Sequence, residues 1–220
     1  MPVVTLATMG TIASIRTDAP VPGAALADIR SHLDVLEQRF SLYRASSELS
    51  RVRDGAIALP DASGELRSTY ARALEWRRVT DGAFTPHRPD GVVDLSGLVK
   101  ADAIHAAGQV LDGALDRWLV TVGGDVLGRG EWKVGVVHPD DRTRYVTVVE
   151  LGDARRAVAT SGVAERGEHV WRSGPADFRQ VTVAAADIVT ADVLATAILA
   201  GGHATHENVL RDHPVEVLAL

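Results

Sequence analysis

The stretch Thr190 to Gly202 (TADVLATAILAGG) is almost wholly apolar, and a chain that carries it has to be organised around it. Within it stand two oxygen donors, Asp192 and Thr196, four residues apart. On a helix that spacing puts both on one face, one turn apart. A carboxylate and a hydroxyl so stacked can be two ligands of a hard divalent cation such as Mg²⁺, which takes oxygen donors in near-octahedral array. A plainer reading also fits the stretch alone. Thr190 would cap the helix, Asp192 would sit in the first turn where the helix dipole favours an anion, and Thr196 would be an ordinary helical threonine.

The rest of the chain bounds the choice. At 220 residues it can bury a sizeable core, and it reads as one domain over 1–220. With 46% hydrophobic and 24% charged residues, disorder is excluded. Twenty-three basic against twenty-nine acidic side chains give a net charge of −6, without a Lys/Arg run, so no nucleic-acid footprint exists. An anionic small ligand then needs a metal or a few placed cations. The absence of cysteine excludes disulfides, thiolate catalysis and Cys-type zinc sites. No basic region precedes the short apolar N-terminal stretch, and no run of about 18 apolar residues is present, so the expectation is a cytoplasmic protein without membrane insertion.

Taken in order, residues 3 to 15 alternate small polar and β-branched side chains as one strand, interrupted at Gly10 by a bulge or a close approach. Amphipathic helices are expected over 24–39 and 63–79, with Ser46 and Ser47 capping a short helix between them. Asp81-Gly82 marks a turn before Phe84. A short strand at 92–94 should run through Asp-x-Ser-Gly into a helix, a junction suited to anions. Strands follow at 118–122, ending in Gly123-Gly124-Asp125, and at 132–137, 145–151, 157–162, 180–185 and 215–218. His203, His206 and His213 read as solvated surface. Strands clustered in the middle with helices flanking them argue an α+β fold with mainly antiparallel pairing.

The order of the marked segments carries more than any one of them. Met9-Gly-Thr11, Phe40-Ser-x-Tyr43 with Ser47 to Arg51, Gly82-Ala-Phe84, Asp94-Leu-Ser-Gly97 with Lys100, Val122 to Asp125, Ala159 to Gly162, His169, and Ala191 to Thr196 are colinear across nearly the whole chain. In this order they resemble the ApbE-type family of FAD:protein FMN transferases.

The resemblance implies an α+β fold related to the T-fold. It also implies a Mg²⁺-dependent enzyme that binds FAD, breaks its pyrophosphate, passes FMN to a Thr or Ser hydroxyl of a target protein, and releases AMP. By the same likeness Asp192 and Thr196 look like side-chain metal ligands and Gly97 like a carbonyl ligand. Ala195 stands where some members carry a further carboxylate. Met9, Tyr43, Ala83, Phe84, Thr85, Asp94 and Lys100 fall where the family contacts FAD, and Trp171 offers its backbone or ring to the flavin. His169 looks like the histidine proposed to accept the acceptor's proton, a role that a near-neutral pKa suits.

The chain departs from the family pattern after His169. It reads Val170-Trp-Arg-Ser-Gly-Pro175 where members usually carry Ile-Ile-Asp-Pro-x-Thr-Gly, so an acid is replaced by Arg172. Two alternatives therefore stand beside the transferase: a flavin-binding protein without transfer activity, and a pyrophosphatase giving FMN and AMP.

Overall fold

The computed structural model describes residues 1–162 and 176–220. His169 and Trp171 lie outside the described residues.

The chain begins with β1 (Val3–Thr8) and β2 (Thr11–Thr17), which pair antiparallel. The single strand expected over 3–15 is thus a hairpin. Met9 and Gly10 are its two-residue turn, at φ 46° and 70°; positive φ at both central positions matches the right-handed twist of the flanking strands. Helices α1 (Gly23–Phe40), α2 (Glu48–Arg53) and α3 (Gly64–Val79) follow as expected. Ser47 and Ser63 cap the last two, their side chains accepting from Ser50 N and Leu66 N.

No strand forms at 92–94. Val93 makes only an isolated bridge to His87, and α4 (Ser96–Asp112) starts directly after Asp94-Leu95. Strand β3 (Trp118–Val122) then turns through Gly123-Gly124 into β4 (Asp125–Arg129), which the sequence reading missed. The hairpin of β5 (Trp132–His138) and β6 (Asp141–Leu151) comes next, followed by β7 (Ala157–Gly162), β8 (Gln180–Ala185), α5 (Ile188–Asp212) and β9 (Glu216–Ala219).

Seven strands form one sheet in the order β1-β2-β3-β4-β7-β8-β9, every neighbouring pair antiparallel, and β5-β6 is a separate two-stranded sheet. The architecture is α+β with antiparallel sheets and flanking helices, as the sequence argued. Because side chains alternate along a strand, the large sheet has two differently clothed faces. Ile15, Trp118, Val120, Leu127, Ala157, Ala159, Val181 and Val183 point to one side, where Ile104 and Leu111 of α4 and Leu194, Ala195 and Ile198 of α5 close the main core. Leu119, Val126, Val158 and Ala184 point to the other, where Trp132 and Leu151 of the β5-β6 hairpin cover them.

Helix α5 is apolar all round because it is enclosed all round. Leu194 and Ile198 meet the sheet, while Val193 and Ala197 meet a second cluster built from Phe40, Leu49, Leu66, Phe84 and Leu98. By length and composition alone α5 is apolar enough to cross a membrane, but 61% of its apolar window is buried inside the protein.

Its start is not where the sequence reading put it. Asp187, not Thr190, is the N-cap, its side chain accepting from Thr190 N at 2.8 Å. Asp192 is consequently beyond the first turn, and the capping explanation of that carboxylate does not hold. The helix also continues past Gly202, where φ is 70° and the axis kinks, to Asp212.

Candidate functional site

Three elements converge on Asp192. Helix α5 carries Asp192 and Thr196, α4 carries Lys100 one turn in from its N-terminus, and the Gly123-Gly124 turn delivers Asp125 at the head of β4. Glycine at φ 55° and 94° lets that turn close without a Cβ clash. Asp125 is wholly buried and Asp192 is 2% exposed. Such burial of carboxylates requires a partner, and Lys100 supplies it to both: its ammonium pairs with Asp125 Oδ2 and stands 3.4 Å from Asp192 Oδ1.

The remaining bonds fix this cluster to the sheet. Asp125 Oδ1 accepts from the backbone N–H of Thr160 at 3.0 Å. Thr196 Oγ1 and Ser161 Oγ share a hydrogen bond of 3.0 Å. Asp94 accepts from Ser96 N at 2.9 Å, which orders the entry to α4. Gly97 stands close to the Phe84 ring: an added Cβ would lie 3.2 Å from it.

Lys100, Ser161, Asp192 and Thr196 of this cluster line a cleft of about 790 Å³. The cleft runs over the β3-β4 turn, from the helix side of the sheet to the space beneath the β5-β6 hairpin. Of the residues expected to bind cofactor or metal, Ala83, Phe84, Thr85, Asp94, Gly97, Lys100, Asp192 and Thr196 all line it. Met9 and Tyr43 do not. Met9 is in the β1-β2 turn, its N–H donating to Glu37 Oε1, and Tyr43 is fully exposed on the α1-α2 connection.

The far compartment was not anticipated. Arg16, Lys133 and Arg142 line it together with Tyr145 and Gln180. Gln180 Nε2 donates to Val137 O at 3.0 Å, and Arg179 pairs with Asp140, so the hairpin tip is tied to the start of β8. Only the topology brings these groups together; no local pattern in β5 or β6 announces them. Asp125 did leave a signal in the Gly-Gly-Asp that follows a strand, but the sequence assigned it no role.

Among the described residues the donors at the helix-side end are oxygens: the Asp192 carboxylate, the Thr196 hydroxyl and the backbone of Gly97. Two buried carboxylates of the described residues, Asp125 and Asp192, flank the Lys100 ammonium there. That oxygen chemistry fits a hard divalent cation. Among the described residues no group of three or more His, Asp or Glu side chains is placed to hold a metal, so much of a cation's shell would come from water or ligand oxygens. Of the C-terminal histidines, His203 is exposed as expected, whereas His206 and His213 are half-buried. His203 and His206 pack edge-on against Phe178, with centroids 4.6 and 5.7 Å away, and His206 Nε2 is buried.

Fold and cleft together define an α+β protein with a buried charge cluster at one end of a cleft large enough for a nucleotide-sized ligand. The ApbE family model matches residues 9–89 and 85–219. The chain belongs to the ApbE family. No curated protein sequence matches it significantly. Among solved structures, it is similar to the flavin transferase ApbE from Vibrio cholerae, at 22% identity and TM-score 0.80, covering 99% of this chain and 92% of that one. The ApbE protein from Thermotoga maritima aligns at 20% identity and TM-score 0.79, over 99% and 93%. The apo flavinyl transferase ApbE from Pseudomonas stutzeri aligns at 18% and 0.78, over 99% and 90%. At these identities the likeness is one of fold.

Proposed function

We propose that this chain is a divalent-metal-dependent flavin transferase that takes FAD and moves its FMN half to a Thr or Ser hydroxyl of a target protein. The observation that carries the reading is that Asp192, Thr196 and Lys100 line the cleft together, with Lys100 paired to the buried Asp125, in a chain of the ApbE family.

In the reaction the acceptor oxygen attacks the phosphorus of the FMN half. The bond to the bridging oxygen breaks, AMP leaves with that oxygen, and the acceptor's proton passes to a base. Mg²⁺ held by Asp192, Thr196 and the Gly97 carbonyl would neutralise charge on the pyrophosphate. Lys100 supplies a second cation beside it, and the first turn of α4 adds backbone N–H groups favourable to an anion. Ala83, Phe84 and Thr85 offer a wall for the flavin. The resemblance gives the base as His169 and a further flavin contact as Trp171. Phosphoryl-type transfer depends mainly on positioning and charge neutralisation, which this cluster is built to provide.

The altered segment after His169 favours a second reading, hydrolysis of FAD to FMN and AMP or flavin binding alone. One assay orders the three. The protein is incubated with FAD, Mg²⁺ and a domain bearing an acceptor threonine, and AMP release and acceptor mass are followed. Transfer predicts one AMP for each FMN-sized mass gain. AMP without a mass gain identifies the hydrolase, and no AMP with retained flavin identifies the binder.

A further inference from the structure

We propose that Ser161 is a positioning residue for the metal site. It takes the proton of the Thr196 hydroxyl and so turns that oxygen's lone pairs toward a divalent cation. The inference rests on the metal reading above and gives a role to a side chain that the reading leaves out.

A neutral hydroxyl that binds a cation through a lone pair still carries its proton, and inside a protein that proton needs an acceptor. A helical threonine commonly finds one on its own helix, in the carbonyl of a residue one turn earlier. Thr196 Oγ1 reaches off α5 to Ser161 Oγ of β7, at 3.0 Å. Without a cation either oxygen of this pair can be the donor. A cation fixes the direction. Once Thr196 Oγ1 gives a lone pair to the metal, the positive ion repels its proton, and Ser161 Oγ is in place to accept it.

The strand holds that acceptor still. Ser161 is 9% exposed and belongs to a run of β7 paired with β8 from Ala157 to Gly162. The preceding residue, Thr160, is fixed in turn, its backbone N–H donating to the buried Asp125. A serine oxygen has one rotatable bond between it and the backbone, so the sheet itself places it. The metal ligand on the helix is thereby oriented from the strand that faces it.

The test is the Mn²⁺ affinity of the full chain, read from the spin resonance signal of free Mn²⁺ with no flavin present, beside thermal melts in EDTA. Ser161→Ala removes the acceptor and should weaken Mn²⁺ binding about tenfold, the usual size for loss of a group that orients a metal ligand. Thr196→Val removes the ligand itself. In that background Ser161→Ala should change affinity by less than about twofold, since a residue that acts through Thr196 has nothing left to act on. A loss that persists undiminished in the Thr196→Val chain would make Ser161 a direct ligand and overturn the proposal. So would a Ser161→Ala chain that keeps wild-type Mn²⁺ affinity and only melts lower, the behaviour of a plain tether between β7 and α5.

Ser161→Cys serves if Ser161→Ala does not fold. It keeps a small side chain but offers only a weak acceptor, and should also weaken Mn²⁺ binding; wild-type affinity in that variant overturns the proposal. Failure of the metal reading looks different. In that case wild type binds no Mn²⁺, or Thr196→Val binds it as tightly as wild type does, and the role of Ser161 falls with it.

Discussion

Replacing Asp192 by alanine should leave the apo protein about as stable as before and erase its stabilisation by Mg²⁺. Asp192 is 2% exposed and stands 3.4 Å from the Lys100 ammonium. At an effective dielectric of about 20 that contact is worth about 5 kcal/mol of attraction. The carboxylate also costs several kcal/mol to desolvate, and it repels the buried Asp125 nearby. The terms offset, and among the described contacts Lys100 keeps its pairing with Asp125 in the variant.

The apo variant should accordingly stay within about 1 kcal/mol of wild type, or roughly 4 °C in Tm for a chain of this size. A ligand that binds only the folded state contributes about 2.7 kcal/mol at one hundred times its Kd, equivalent to a rise of roughly 5–10 °C. Thermal melts in EDTA and in saturating Mg²⁺ read both quantities. Wild type should show the rise and Asp192→Ala should not. A variant that still gains several degrees with Mg²⁺ removes Asp192 from the metal site. An apo variant that melts more than about 10 °C low refutes the offset of attraction by desolvation.

Two further expectations concern the frame. Leu194→Ala truncates a side chain with no exposure between sheet and helices, and should cost about 2–5 kcal/mol in urea unfolding. Ser47→Ala removes the cap of α2 along with the Ser47 Oγ donation to Ser41 O at 2.5 Å. It should cost about 1–2 kcal/mol, visible as a shift in urea midpoint at unchanged slope.

Where periodicity is strong, the sequence was a good guide. Helices α1 and α3 and strand β5 stand where their apolar spacing put them because burial of one face decides them locally, and β3, β7 and β8 were legible as short apolar, β-branched runs that end up buried on both faces. Strand β4 escaped notice because Gly123, Gly124 and Gly130 flank a run of only five residues and Gly128 interrupts it. Gly128 is explained by packing: a Cβ there would lie 3.0 Å from Leu119 and 3.1 Å from Trp132. The first strand was read as continuous because a Met-Gly turn inside a β-branched run lacks the usual Asn-Gly or Asp-Gly signal.

Of the site, the pieces on single helices were legible, Asp192 with Thr196 by their spacing and Lys100 by its motif. That Asp125, 67 positions before Asp192, shares one lysine with it depends on how β4 and α5 meet, which no local pattern encodes. The same holds for Arg16, Lys133 and Arg142, gathered from three strands of two sheets.

The β5-β6 hairpin is inserted between two strands that are neighbours in the large sheet. The pairing of β4 with β7 spans only Val126 with Val158 and Leu127 with Ala157, the shortest in that sheet. Everything on one side of this seam comes early in the chain, and everything on the other side comes late. The charge cluster straddles it: Asp125 and Lys100 belong to the early part, Thr160, Ser161, Asp192 and Thr196 to the late part, and the Thr160 N–H to Asp125 bond is a stitch across the join. Neither half alone carries the ligands proposed for the cation together with the Lys100-Asp125 pair. The cluster therefore reports on completed assembly, and a chain cut within the hairpin should recover metal affinity only when its two pieces re-associate along the seam.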